Sequence, residues 1–305
     1  MNTMEAINLH KRFGSVSAVN GVSFNVKEGE IFGLLGPNGA GKTTTIRILT
    51  GILKPDSGEA RIMGYDVHKD PVKARMLIGV VPEEANPYPD LSAWDNLMLV
   101  GYLYGLSKHT VSERAARLLK LLDLYEVRER KARSLSKGMR QKLLMAMALI
   151  GEPKVLFLDE PTSGLDVLSA RKIRNLILDL KKNGVIILLT THNVEEAGEL
   201  CDSIAIINGG QIVETGSPDD LRIKSGLYTY ISVKFDRPID PEDAGQFFKA
   251  WEHRVQGSRI LLICKESADS IVRVVEYAEA RGLSIIDIHT SPPNIEDVFV
   301  KIIGG

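Results

Sequence analysis

The sequence is poor in several features that would tie it to large classes of protein. Only two cysteines occur in 305 residues, Cys201 and Cys264, far apart and without metal-ligand spacing. Neither a disulfide framework nor a thiolate metal site is therefore expected, only two small buried thiols in a reducing compartment. No apolar run approaches the roughly 20 residues that a membrane-spanning helix needs; the longest are IFGLLG, VLFLD and GVIILLTT. The opening MNTMEAINLHKRFG alternates like a strand and has no apolar core of the signal-peptide kind, so export of the chain is not expected. Positive charge is not in excess either, with 38 lysines and arginines against 39 aspartates and glutamates. That balance provides no bulk field to hold nucleic acid. What remains is 44% hydrophobic residues over a length that supports one sizeable core and a smaller second domain.

The patterning divides the chain. From Met4 to Gly36, short β-like runs are punctuated by glycines, and GKTTTIRILTGIL then has helical spacing. Between about residues 84 and 150 the period is helical, with Trp94, Leu97, Met98, Gly101 and Tyr102 on one expected face and Ala115, Leu118, Leu119 and Leu122 on another. This stretch reads as a helical insertion. After Leu143, strand and helix alternate, which predicts a mostly parallel sheet with helices on its faces. The alternation ends in a hairpin at Asn208, Gly209 and Gly210. A boundary near GSPDDLRIKSG separates residues 1–220 from 221–305. The second part reads strand, helix (Pro241 to Trp251), two short strands, helix (Ala268 to Arg281, with Ile271, Val274, Val275 and Ala278 inward), strand (Leu283 to His289) and a last helix. That βαββαβ order predicts a small ferredoxin-like α/β domain.

The strongest chemical signal is GPNGAGKT, residues 36–43, which matches G-x-x-x-x-G-K-[ST] between a strand and a helix. Glycines at 36, 39 and 41 let backbone N–H groups of Asn38, Gly39, Ala40, Gly41 and Thr44 turn towards phosphates, with a helix N-terminus behind them. Lys42 would reach the β- and γ-oxygens, and Thr43 would hold Mg²⁺ through its hydroxyl. At the end of the apolar strand VLFLD, Asp159 is placed for the metal, and Glu160 for polarising a water towards the γ-phosphate. His192 ends another apolar strand and is expected at the same sheet edge, where it would donate to the γ-phosphate. A third signal, LSKGM at 135–139, puts Ser136, Lys137 and Gly138 at a second helix entrance suited to an anion.

Together these residues resemble the ATP-binding subunits of ABC transporters over roughly Met4 to Gly216. The resemblance implies an α/β P-loop ATPase core with an N-terminal antiparallel β-subdomain, followed here by the small domain. It also implies that LSKGM is the signature motif and faces the ATP of a second, head-to-tail subunit. By the same resemblance Phe13 would stack on adenine, Pro82 and Glu83 form the Q-loop with Glu83 near the metal, and SGLD, with Asp166, is the D-loop. Lys137 stands where the family's first signature glycine is usual, Met139 where a glutamine is usual, and Glu83 where a glutamine is usual. The implied partners are separate transmembrane permease subunits and a second ATP-binding subunit, with a homodimer expected and no nucleic acid. The implied location is the cytoplasmic face of the membrane. The aromatic stretch ANPYPDLSAWDNL suits either a socket for the permease or ordinary packing of the insertion. The ending SPPNIEDVFVKIIGG resembles the tail of ABC-2 type exporter subunits.

Two rivals fit less of the sequence. ABC ATPases that act on ribosomes usually carry two ATPase domains in one chain, and those acting on chromosomes split their motifs with long coiled coils; this chain has one closely spaced set. A P-loop kinase leaves LSKGM and SGLD unexplained.

Overall fold

The computed structural model describes residues 3–82, 86–264, 267–291 and 293–304, and the chain folds as two compact units, Met1–Ser217 and Pro218–Gly305. In the first unit, β1 (Thr3–Phe13), β2 (Val16–Lys27), β4 (Ser57–Ile62) and β5 (Tyr65–Asp66) form an antiparallel sheet in the order β2-β1-β4-β5. Alternating burial along β1 and β2 puts Met4, Leu9, Val22 and Val26 inward, as a sheet with one covered face requires.

The second sheet holds β3 (Ile31–Leu35), β6 (Ile78–Val81), β7 (Val155–Asp159), β8 (Ile186–Thr190), β9 (Ser203–Asn208) and β10 (Gln211–Gly216), in the order β10-β9-β3-β8-β7-β6. All its pairings are parallel except the β9–β10 hairpin, which turns at Gly209 and Gly210. Every residue of β3, β7 and β8 is buried, the signature of central parallel strands covered on both faces. Because β3, β8 and β7 are adjacent and parallel, the segments that leave them emerge at one sheet edge. That register positions the site.

Helices α1 (Lys42–Leu49) and α2 (Pro71–Arg75) follow the first strands. The insertion consists of α3 (Ala93–Leu103), α4 (Lys108–Leu121) and α5 (Lys137–Leu149), each opened by a serine whose hydroxyl accepts a first-turn N–H: Ser92, Ser107 and Ser136. The inward face of α3 differs from expectation: Ala93, Asn96, Leu97 and Gly101 are buried, whereas Tyr102 is exposed. Asn96 makes the difference. Its amide donates to the carbonyls of Ser92 (2.8 Å) and Tyr88 (3.1 Å) and accepts from the Tyr88 N–H, so a polar residue is satisfied inside and the helix is rotated towards it. Helices α6 (Val167–Lys182) and α7 (Val194–Leu200) cross back over the sheet.

The second unit opens with α8 (Pro218–Ser225), a helix inside the segment read from sequence as a boundary. There follow β11 (Thr229–Phe235), α9 (Pro241–Phe247), β12 (Glu252–Gln256), β13 (Arg259–Cys264), α10 (Ser267–Arg281), β14 (Ile285–Ser291) and α11 (Ile295–Gly304). The antiparallel sheet order β12-β13-β11-β14 is that of a ferredoxin-like βαββαβ unit. Its core gathers Ile231, Val233, Phe235, Phe248, Ile260, Leu262, Val274 and Tyr277. Helix α9 stops four residues short of the expected Trp251, and on α10 Val275 is outward while Tyr277 is inward.

Candidate active site

The loop between β3 and α1 is shaped above all by two glycines at which a side chain would strike backbone. A Cβ at Gly36 would lie 2.3 Å from the Ile207 carbonyl oxygen, and one at Gly41, where φ is +110°, would lie 2.4 Å from that of Ala18. Backbone bonds from Gly210 N–H to Ala40 O (2.9 Å) and from Asn20 N–H to Gly210 O (2.8 Å) fasten the loop to the β9–β10 hairpin and to β2. Lys42 folds over the loop and donates to the carbonyls of Gly36 (2.6 Å) and Pro37 (3.1 Å). The ammonium is thus held against the loop, and the Ala40 N–H, expected to face a phosphate, donates instead to the Pro37 carbonyl at 3.1 Å, closing the turn.

A cavity of about 490 Å³ is bordered by Ala18, Asn38, Gly39, Gly41, Lys42, Thr43 and Thr44 on one side and by Asp159, Glu160 and His192 on the other. The expected residues of β3, β7 and β8 therefore meet. Asp159 is only 8% exposed, and its carboxylate accepts a hydrogen bond from the Thr190 hydroxyl on β8. Burying a carboxylate is costly, so this position favours an arriving cation. Glu160, equally buried, has φ of +52°, a left-handed conformation that costs a non-glycine residue on the order of 1 kcal/mol or more. Its N–H, donating to Thr190 O at 3.0 Å, holds that turn.

His192, largely exposed, approaches Glu160 Oε2 through Nδ1 at 2.7 Å. A carboxylate has no proton to give, so Nδ1–H is the donor, and a neutral ring then offers Nε2 only as an acceptor. To donate to a phosphate, the ring must either be protonated or release Glu160. That coupling makes the pair sensitive to what occupies the cavity.

Other expected residues lie off this cavity. Phe13 is half exposed at the end of β1, beside the turn into β2, with the Lys11 ammonium 5.8 Å from its ring centroid. Ser136, Lys137 and Gly138 do not border the cavity; Ser136 caps α5 by accepting from the Met139 N–H at 3.2 Å, and Lys137 is its first residue. The Lys137 amine occupies the space where a Cβ at Gly164 would sit, 2.3 Å away. Asp166 caps α6, and hydrogen bonds from the Ser169 N–H and hydroxyl hold its carboxyl below the usual carboxylate range. Glu83 lies outside the described residues.

Sequence reading missed Thr162, Thr190, Thr191 and Glu196. Thr190 and Thr191 stand inside VIILLTTH, and the sequence around Glu196 offers no more than an acidic residue near a helix start. Instead Glu196 is 1% exposed and accepts from Thr162 Oγ1 (2.7 Å), Arg174 Nε (3.1 Å) and Thr191 Oγ1 (3.3 Å).

The ABC transporter family profile matches residues 19–163. The chain is similar to the linearmycin resistance ATP-binding protein LnrL of Bacillus subtilis, 34% identical over 99% of this chain and 98% of that protein. It is 36% identical to the Nod factor export ATP-binding protein I of Ralstonia nicotianae, over 97% and 92% of the two chains. The doxorubicin resistance ATP-binding protein DrrA of Mycobacterium tuberculosis is also 36% identical, over 95% and 89%. Among solved structures, an ATP-binding subunit of an ABC transporter superposes with a TM-score of 0.68 at 33% identity, covering 73% of this chain and 93% of the other. A dimeric ATP-binding cassette in a post-hydrolysis state, bound to ADP and phosphate, superposes at 0.65 with 28% identity, covering 70% and 98%.

Proposed function

Because this chain belongs to the family of ABC transporter ATP-binding proteins, we propose that it is the ATPase subunit of a membrane exporter and that two copies close head to tail on two ATP molecules. One observation carries the reading: a single cavity joins the phosphate loop to Asp159, Glu160 and His192, while the second anion-ready entrance, at Ser136 to Gly138, stands away from it. A second copy supplies what each half lacks. Val167 and Leu168, 82% and 74% exposed beside Asp166, are apolar surface that such a partner would cover.

Lys42 leaves the Gly36 and Pro37 carbonyls for the β- and γ-phosphates, and the N–H groups of Asn38, Gly39, Gly41 and Thr44 orient them. Phe13 stacks on the adenine. The residues present fit a magnesium ion, since the buried carboxylate of Asp159 shares the cavity with the Thr43 hydroxyl, two oxygen donors suited to a hard cation. Asp159 and the Thr43 hydroxyl would hold the ion, which would supply positive charge to offset that of the phosphates. Glu160 takes the proton of the attacking water, and His192 exchanges its bond to Glu160 for one to the γ-phosphate. ATP gives both half-sites one anion to share, and loss of the γ-phosphate removes it, so the copies separate.

No helix among the described residues is long and apolar enough to cross a membrane. Membership of the family supports a transport path in separate permease subunits, with the chain held at the cytoplasmic face through them. Relatives named for export of Nod factor and for resistance to doxorubicin and linearmycin support outward transport. The reading is tested by purifying tagged Glu160→Gln protein from its host's membranes in mild detergent with ATP. A multi-spanning partner without a substrate-binding protein is expected. Ribosomes, DNA-bound proteins, or an absence of membrane protein would contradict it.

A further inference from the structure

Glu196 is a charged residue with no direct access to the cavity, yet it is almost completely buried and saturated with donors. Thr162 Oγ1 reaches Oε1 at 2.7 Å from the loop between Glu160 and Asp166. Arg174 Nε reaches the same oxygen at 3.1 Å from α6. Thr191 Oγ1 lies 3.3 Å from Oε2 and comes from the loop that bears His192. A helix-capping function does not explain this. At the start of α7 the Asn193 side chain accepts the Glu196 N–H (3.0 Å), and the Asn193 N–H goes to Thr191 Oγ1 (3.0 Å), so the carboxylate is not needed there.

Thr191 connects the network to the chemistry. Its hydroxyl also lies 3.4 Å from Glu160 Oε2. One hydroxyl carries one proton, so the carboxylates of Glu160 and Glu196 compete for it. Any movement of Glu160 towards a water is therefore felt at Glu196, and through Thr162 in the loop that ends at Asp166.

We infer that Glu196 is a positioning residue that ties the loop bearing His192 to the loop bearing Asp166, so that the partner-facing loop and the Glu160 carboxylate move as one. This rests on the catalytic assignment of Glu160. Fixing two loops against each other is the kind of support that holds a reacting geometry, and its loss acts on turnover more than on ground-state binding.

The test compares Glu196→Ala, Glu196→Gln, Thr162→Val and Glu160→Gln in the full-length protein, by steady-state ATP hydrolysis, nucleotide binding and thermal melting. For Glu196→Ala, kcat is expected to fall about 10- to 100-fold while KM for ATP stays within about threefold, because Lys42 and Thr43 are untouched. Glu196→Gln keeps the shape and an acceptor for Thr162, and loses less. Adding Thr162→Val to Glu196→Ala costs nothing further, since both break one tie. Wild-type kcat in Glu196→Ala, with Glu160→Gln inactive, would overturn the role of Glu196 alone. Additive losses, or a kcat loss matched by equal losses of ATP affinity and melting temperature, would reduce Glu196 to a structural ion pair. Normal turnover by Glu160→Gln would overturn the catalytic assignment, and this inference with it.

Discussion

At the residue scale, the phosphate loop owes its shape to contacts that differ from one glycine to the next. Gly36→Ala forces a Cβ onto the Ile207 carbonyl, whereas a Cβ at Gly39, where φ is +79°, meets no atom within 4 Å. Gly36→Ala is therefore expected to lose nucleotide affinity by about tenfold or more and to lower the melting temperature. Gly39→Ala should cost only the roughly 1 kcal/mol of a left-handed alanine. Titration with a fluorescent ATP analogue and a melting curve check the contrast; equal effects would show that the space around Gly36 relaxes. That Lys42, Thr43, Asp159, Glu160 and His192 border one cavity was legible in the sequence, because they sit in contiguous motifs at the ends of apolar strands. Glu196 was not legible, because its meaning lies in Thr162, 34 residues away, and in a burial that no first-turn glutamate announces. Lys137 was read as facing a partner's phosphate; in the chain by itself its amine lies against Gly164.

At the scale of elements, the entrance of α5 has two demands on one side chain. Ser136 caps the helix through Met139 N–H, and the proposed dimer also puts its hydroxyl on the partner's ATP. Ser136→Ala is expected to cost about 1 kcal/mol of stability, and to abolish ATP-driven dimerisation while nucleotide still binds the phosphate loop. Melting and sedimentation with ATP separate the two effects; a variant that dimerises normally would confine Ser136 to capping. The central strands were easy to read, since β3, β7 and β8 are buried throughout and appear as unbroken apolar runs. Helix faces were harder. Period alone favoured Tyr102 on α3, but the hydrogen bonds of Asn96 to Ser92 and Tyr88 decided the rotation. Likewise α9 ends at Phe247 because Phe248 and Trp251 turn into an aromatic cluster with Tyr277, a tertiary preference that no local propensity encodes.

At the scale of the whole molecule, each unit carries its own tryptophan, Trp94 in one and Trp251 in the other, so their stabilities can be followed separately. In the second unit, Asp243 accepts from Tyr277 Oη at 3.0 Å and from both Nε and a terminal nitrogen of Arg281. Arg281 holds the Asp243 carboxyl below its usual range, and burial, with Asp243, pushes the Tyr277 phenol up to about 12. A phenol raised on folding stabilises fully below the ordinary tyrosine pKa of about 10, and that contribution is lost as pH rises through about 12. A carboxyl lowered on folding stabilises above the ordinary aspartate range, and that contribution is lost as pH falls through its lowered value. In a Trp94→Phe background, Trp251 fluorescence should therefore report alkaline weakening between about pH 10 and 12 that Tyr277→Phe removes; persistence of the loss would place it elsewhere. Cys201, buried with its thiol pushed far up, and Cys264, also buried, should resist thiol reagents in the folded chain and react on unfolding.

The central claim is that ATP joins two copies of this chain. Sedimentation of Glu160→Gln protein with ATP, then with ADP, tests it most directly. The account predicts a dimer that retains two ATP molecules in the first case and a monomer in the second. A chain that stays monomeric while saturated with ATP, or that dimerises equally with ADP, would contradict it.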